Sequence, residues 1–311
     1  MRHTVSTVFQ TSRRHFLSTL AAAAVNAHAQ DVLVRTGISL VRVDAQVNGD
    51  SLGVDGLQKE DFEIHDNGEL QKILYCSQEE QPLDLLLIFD NSGSMLPAMR
   101  RLAASAHTAL AELRKGDRVA VANFNTDAWL IADFNDDLDE VEKTVGRVVD
   151  LRFGGSTHIL AALDKATAHF AKHADAERRH AILIFTDDDG QPSASERSVV
   201  NHMWQSDIML CGLIIPTPMS QNGSGGRNSA EDILGVAEKT GGETVNADDP
   251  GHAFREMVRR IRRRYSIYYS TPPGKPGATR RVVVDLSPQG KSRYPQAKVL
   301  ARKGYIMPKS S

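Results

Sequence analysis

Two cysteines in 311 residues, Cys76 and Cys211, are too few for a disulfide-held scaffold or a zinc ribbon. A formal net charge of −2 denies the chain the basic surface that a nucleic-acid binder needs. Apolar runs are short: Leu85–Phe89 and Ala181–Phe185 are strand-sized, far below the ~20 residues that span a bilayer. No repeat of solenoid length occurs. What is present, 41% hydrophobic and 24% charged residues, is the composition of a folded soluble protein rather than a disordered or collagen-like one.

The start of the chain has a different character. Residues 1–11 carry no acid, and Arg13-Arg14 precede Phe16-Leu17 and the mildly apolar run Ser18–Val25. Ala27-His28-Ala29 then places small residues where a signal peptidase reads them. This order resembles a twin-arginine export signal covering residues 1–29. It implies a mildly acidic mature chain that is periplasmic or secreted, with no transmembrane helix. In an oxidising compartment Cys76 and Cys211 have the option of pairing, although Cys211 lies in the apolar run Ile208–Ile215, which equally suits a buried thiol.

Beyond that segment three rhythms follow. Residues 30–81 alternate apolar and polar over Ser39–Gln46, Phe62–His65 and Gln71–Tyr75, with turns at Asn48-Gly49-Asp50 and Asp66-Asn67-Gly68, which predicts a small β segment. Residues 82–264 alternate buried-strand runs (Leu83–Phe89, His180–Thr186, Ile208–Ile215) with helical patterns (Met95–Leu113, Leu138–Val149, Ile159–His173, Ala194–Gln205, Ala230–Thr240, His252–Arg264). They also contain a hairpin, Arg118–Asn123 with Ala128–Phe134, and a short strand at Glu243–Asn246. That alternation predicts an α/β, Rossmann-like, doubly wound domain with a mostly parallel central sheet. Residues 265–311 return to strands at Tyr265–Ser270, Arg281–Leu286 and Ala297–Tyr305, expected to pack with residues 30–81 as a discontinuous β module. Gly223-Ser224-Gly225-Gly226 lacks the strand and helix of a dinucleotide fingerprint and reads as a loop.

One set of residues carries chemistry. Asp90, Ser92 and Ser94 follow the first buried strand at alternate positions, Thr157 precedes a helix in the loop Gly154–Thr157, and Asp187 ends the second buried strand. Ligands of doubly wound sheets bind beyond such strand ends, and hard oxygen donors suit Mg²⁺ or Ca²⁺ rather than zinc. Each of these residue types alone also suits a helix cap. Together the five, in this order, resemble the metal-ion-dependent adhesion site of von Willebrand factor type A domains. Gly56–Phe62, Asp66-Asn67-Gly68, Gln71-Lys72-Ile73 and the ending Ala301–Tyr305 are similar to a related subfamily of bacterial exported proteins. The resemblance implies metal ligation by Asp90, Ser92, Ser94, Thr157 and Asp187, with Mg²⁺ (or Mn²⁺ or Ca²⁺) as the ion. A protein partner would offer an Asp or Glu to the open coordination position. The chain departs from the family at Asp188, where glycine is usual, reading Asp187-Asp188-Asp189-Gly190. That run is expected to be a solvated acidic turn.

The function expected on this basis is metal-dependent protein binding, not enzymatic, with no catalytic residues. Two other readings use the same residues: a metal-assisted hydrolase employing His158 and Asp187–Asp189, and an envelope protein in which the ion is a structural staple. A phosphoaspartyl hydrolase would want a second carboxylate where Ser92 stands. The basic cluster at Arg259-Arg260 and Arg262-Arg263-Arg264 suits the negative end of a helix.

Overall fold

The structure is a computed structural model. The structure describes residues 39–49, 53–78, 81–173, 175, 177–217, 231 and 233–308. The export segment 1–29, Asp50 of the first turn and the Gly223–Gly226 loop lie outside the described residues.

Continuous apolar runs become the centre of a six-stranded sheet. β5 (Leu83–Asp90) is buried at every position, as is β8 (Arg179–Thr186). β5 lies between β8 and β6 (Arg118–Phe124), parallel to both. β9 (Ile208–Ile214) and β10 (Thr244–Asn246) extend the parallel array beyond β8. β7 (Ala128–Asn135) closes the other edge antiparallel to β6, giving the order β10-β9-β8-β5-β6-β7.

Side-chain alternation along β5 explains why helices cover both faces. Leu83, Leu85, Leu87 and Phe89 pack with α1 (Leu96–Leu110), α2 (Leu138–Arg147) and α6 (Pro250–Arg262). Leu86 and Ile88 pack with α3 (Ile159–His173), α4 (Glu196–Gln205) and α5 (Ile233–Thr240). The chain runs from β5 to β6 on one side and places β8 on the other. The C-terminal ends of β5 and β8 therefore flank the switch point, where a crevice opens in such sheets.

The remaining strands form two four-stranded sheets. One has the order β13-β1-β11-β4, built from β1 (Leu40–Asn48), β4 (Ile73–Gln78), β11 (Tyr265–Ser270) and β13 (Lys298–Ala301). The other, β14-β12-β2-β3, uses β2 (Phe62–Asp66), β3 (Glu69–Gln71), β12 (Thr279–Leu286) and β14 (Gly304–Ile306). Thus N-terminal strands pair with C-terminal ones, as in β1 with β11 and β2 with β12. The β2–β3 turn holds Asn67 at φ 51° and Gly68 at φ 87°, the left-handed pair that a two-residue hairpin requires.

Two sequence expectations are corrected in this module. Gln71–Tyr75 is not one strand: the chain breaks at Lys72, and β3 and β4 belong to different sheets. Ala297–Tyr305 divides likewise, into β13 and β14, around Arg302 and Lys303. Alternation persists across such corners because the chain passes from one buried face to another.

The basic cluster is also more than a match to the helix dipole. Arg264 is fully buried, donating to the Gly241 carbonyl and, at 2.9 Å, to Gln46 Oε1 on β1. Arg262 pairs with buried Asp117 at 3.0 Å. The last carbonyls of α6, Ile261 and Arg262, accept from buried Arg179, whose Nε also lies 3.3 Å from Asp44 on β1. Arg264 and Arg179 are thus struts between the α/β domain and the β module, while Arg262 ties α6 to the loop before β6. Cys76 and Cys211 are both free thiols, and burial raises the pKa of Cys211.

Candidate metal centre

The site begins where β5 stops. Asp90 is completely buried; its Oδ1 accepts from Ser92 N at 2.8 Å and its Oδ2 from Thr186 Oγ1 at 2.7 Å. The first bond turns the chain sharply so that Ser92 and Ser94 face the same way. Their hydroxyl oxygens are 3.2 Å apart, and Ser94 Oγ donates to Asp187 Oδ2 at 2.7 Å. Asp187 is 3% exposed and also accepts from Thr217 Oγ1 at 3.0 Å.

Neither serine is spent as a cap. Ser92 precedes the short 3₁₀ turn Gly93–Met95, and the residue capping α1 is Met95; neither position has a side-chain capping bond. The hydroxyls turn toward the carboxylates instead of the helix amides.

Thr157 reaches the same edge through backbone bonds between loops. Asn91 N donates to Phe124 O at the end of β6, and Gly154 N donates to Asn91 O. Gln191 N, in the loop after β8, donates to Thr157 O at 2.8 Å. Thr157 itself is buried, and among the described residues its hydroxyl has no hydrogen bond to the other four. The structure thus links Asp90, Ser92, Ser94 and Asp187 directly, and Thr157 through the loop network.

The electrostatics are unfavourable for a bare site. Burial pushes the Asp90 carboxyl up to about 6, against its bonds from Thr186 and Ser92, and the nearby Asp187 charge pushes the same way. Among the described residues, neither Asp90 nor Asp187 has a Lys, Arg or His partner. Three other buried acids have cationic partners: Asp84 meets Arg118 and Arg178, Asp66 meets Arg280, and Asp117 meets Arg262. Asp90 and Asp187 have no such partner among the described residues.

Asp188 has a conformational explanation. Its φ is +56°, a left-handed turn that favours glycine and that Asp tolerates better than most residues. It is half-buried, with its amide donating to Thr186 Oγ1; only Asp189 is exposed. The expected solvated acidic turn is therefore confined to Asp189. His158, which the hydrolase reading employs, has Nδ1 3.0 Å from the Thr126 carbonyl oxygen.

Thr186 and Thr217 were not among the sequence-derived candidates. Thr186 is the last residue of β8, just before Asp187, and Thr217 is 30 residues beyond Asp187; only the fold reveals that each orients a site carboxylate.

Residues 85–191, which include all five candidates, match the family described as von Willebrand factor type A domain. That match lies within the α/β unit, whose central mostly parallel sheet flanked by helices is the fold of that family. No curated protein matches the chain. Similar solved structures include an aerotolerance-related membrane protein from Bacteroides fragilis, 17% identical over 58% of this chain and 98% of that one, with TM-score 0.46. BatB from Bacteroides thetaiotaomicron is 18% identical over 58% of this chain and 97% of its own, with TM-score 0.44. A von Willebrand factor type A protein from Catenulispora acidiphila is 15% identical over 83% of this chain and 76% of its own, with TM-score 0.46. Among the described residues, no helix is long and apolar enough to cross a membrane.

Proposed function

We propose that this chain is an exported protein whose von Willebrand factor type A domain binds a partner protein through a divalent cation. Asp90, Ser92, Ser94, Thr157 and Asp187 would hold the ion, with Mg²⁺ the first choice and Mn²⁺ or Ca²⁺ as substitutes. The observation that carries this reading is the convergence of two uncapping serines on two buried carboxylates that have no basic partner among the described residues.

The donor set fits such an ion. Every candidate offers oxygen, and Mg²⁺ needs oxygen ligands while keeping some of its waters. Two buried carboxylates balance the ion's charge without a surplus, so a partner's Asp or Glu would gain a charge-assisted contact by replacing water. When bound, the cation supplies the positive charge that recognises that carboxylate. The chain's own groups set its place: Thr186 and Thr217 aim the two acids, and the bonds among the Asn91, Gly154 and Gln191 loops hold Thr157 at the same edge.

Binding is favoured over hydrolysis because His158 is directed to a backbone carbonyl rather than to the acids. Export rests on the order of residues 1–29, charged then apolar then small.

Calorimetric titration with Mg²⁺ and Mn²⁺ tests the reading. The full chain is expected to take up one ion saturably, and Ser92→Ala/Ser94→Ala to lose that uptake while remaining folded by circular dichroism. Equal uptake by both proteins would overturn it.

A further inference from the structure

A second cluster of metal-ligating groups lies at the other end of the sheet. His169 and His173 are four residues apart on α3, so their rings emerge from one helix face. The ring centroids are 4.6 Å apart. β7 brings Asp133 to the same face: His169 Nε2 is 2.9 Å from Asp133 Oδ1, and His173 Nε2 is 4.0 Å from Asp133 Oδ2. One ligand atom from each of the three residues lies within 4.8 Å of the other two.

The register places this cluster far from the first. Asp90 pairs with Phe124 at the end of β6, whereas the residues flanking Asp133 pair with Val119 and Val121 near its start. At about 3.3 Å per residue, roughly 15 Å of sheet separates the two levels. None of Asp133, His169 and His173 contacts Asp90, Ser92, Ser94, Thr157 or Asp187 among the described residues.

We infer that Asp133, His169 and His173 form a binding site for a borderline divalent transition ion, Zn²⁺ in the first place. Two imidazoles and one carboxylate are a donor set that zinc accepts and Mg²⁺ does not. Nitrogen and oxygen atoms around tetrahedral zinc, at about 2.0–2.1 Å from it, are about 3.3 Å from one another, so closing the cluster takes shifts that side-chain rotation supplies. The outer atoms are already constrained. Phe134 N donates to Asp133 Oδ1 at 2.7 Å, and the Phe134 ring stacks on His169 at 5.7 Å between centroids. Such outer contacts fix ligand orientation in metal sites. The nearby Arg118 guanidinium is engaged by Asp84 in two bonds, which leaves the Asp133 carboxylate to the imidazoles.

The site is open. The side chains of Asp133, His169 and His173 are 53%, 20% and 45% exposed, so water or an external donor completes the coordination. A three-ligand zinc site with a free position binds small anions or a further protein ligand.

The test is competitive Zn²⁺ titration against a chromophoric chelator with the full chain, in the presence of excess Mg²⁺. Wild type and Ser92→Ala/Ser94→Ala are expected to bind one Zn²⁺ with equal affinity. His169→Ala/His173→Ala is expected to bind at least about 100-fold more weakly, since losing an outer-shell partner alone costs 10–100-fold. Asp133→Asn, at an exposed position that folding tolerates, gives a smaller loss in the same direction. Equal zinc affinity in the histidine variant, no binding by folded wild type, or loss of zinc in the serine variant or to Mg²⁺ would each overturn the assignment. The last result would place zinc at the strand ends and leave the calorimetric test of that site unaffected.

Discussion

Asp90→Asn makes the metal-free chain more stable at pH 7 and abolishes its response to Mg²⁺. The reason is the carboxyl's position at about 6, against about 3.9 for an unfolded aspartate. A raised folded-state value means that the native chain holds this proton more tightly than the unfolded chain does. The group's full contribution to stability is present below about pH 4 and is lost as pH rises through 6. Two pKa units correspond to about 3 kcal/mol at neutral pH. Asparagine removes that penalty but must rotate to keep one of the bonds from Ser92 N and Thr186 Oγ1, so the net gain is about 1–2 kcal/mol. Thermal melts in chelator between pH 4.5 and 8 check this. Wild type should lose stability across pH 5–7 and regain it on adding Mg²⁺; the variant should show a flat profile over that window and no Mg²⁺ effect. A wild-type profile equally flat in chelator contradicts the account.

The largest loss of stability is expected far from that site, at Asp66. This carboxylate is completely buried and joins the two sheets of the β module. Tyr269 on β11 donates to its Oδ2 at 2.8 Å, Tyr305 on β14 at 2.9 Å, and Arg280 on β12 donates to Oδ1 at 2.6 Å. Burial and the adjacent acid hold the Tyr305 phenol protonated, pushed up to about 12, so both tyrosines stay donors throughout the physiological range. Asp66→Ala leaves two buried hydroxyls and a largely buried guanidinium without their acceptor. Breaking a buried charged network from one side costs about 3–5 kcal/mol. Asp66→Asn retains one acceptor oxygen and is expected to lose about half as much. Urea midpoints of the three proteins measure the order directly. Indistinguishable midpoints for wild type and Asp66→Ala would show that the sheets are held by the apolar core alone.

Much of the fold was legible because its signals are local. Leu83–Phe89, His180–Thr186 and Ile208–Ile215 are continuous apolar runs, and only a sheet covered on both faces makes such runs affordable. Ile159–His173 was bounded correctly by spacing alone. The corners at Lys72 and Arg302 were not legible, since a strand that changes sheets keeps its alternation and loses only its partners. The candidate centre was legible in part for a related reason. Asp90, Ser92 and Ser94 announce themselves by spacing, but the bonds from Thr186 and Thr217 join residues 96 and 30 positions apart from their acceptors. Asp133 likewise meets His169 across 36 residues, and a helical histidine pair has no meaning until the strand beside it is known. The glycine position occupied by Asp188 was visible, whereas its φ of +56° was not.

The central claim is that Asp90, Ser92, Ser94, Thr157 and Asp187 hold a divalent cation with a position left for a partner's carboxylate. Water-proton relaxation with Mn²⁺ tests it most directly, because a protein-bound Mn²⁺ that keeps exchangeable waters relaxes solvent strongly. The full chain is expected to enhance relaxation at one Mn²⁺ per molecule, to lose part of that enhancement when a glutamate-bearing peptide is added, and to show none in Asp90→Asn. Enhancement unchanged in Asp90→Asn, or absent from the folded wild type, would contradict the account.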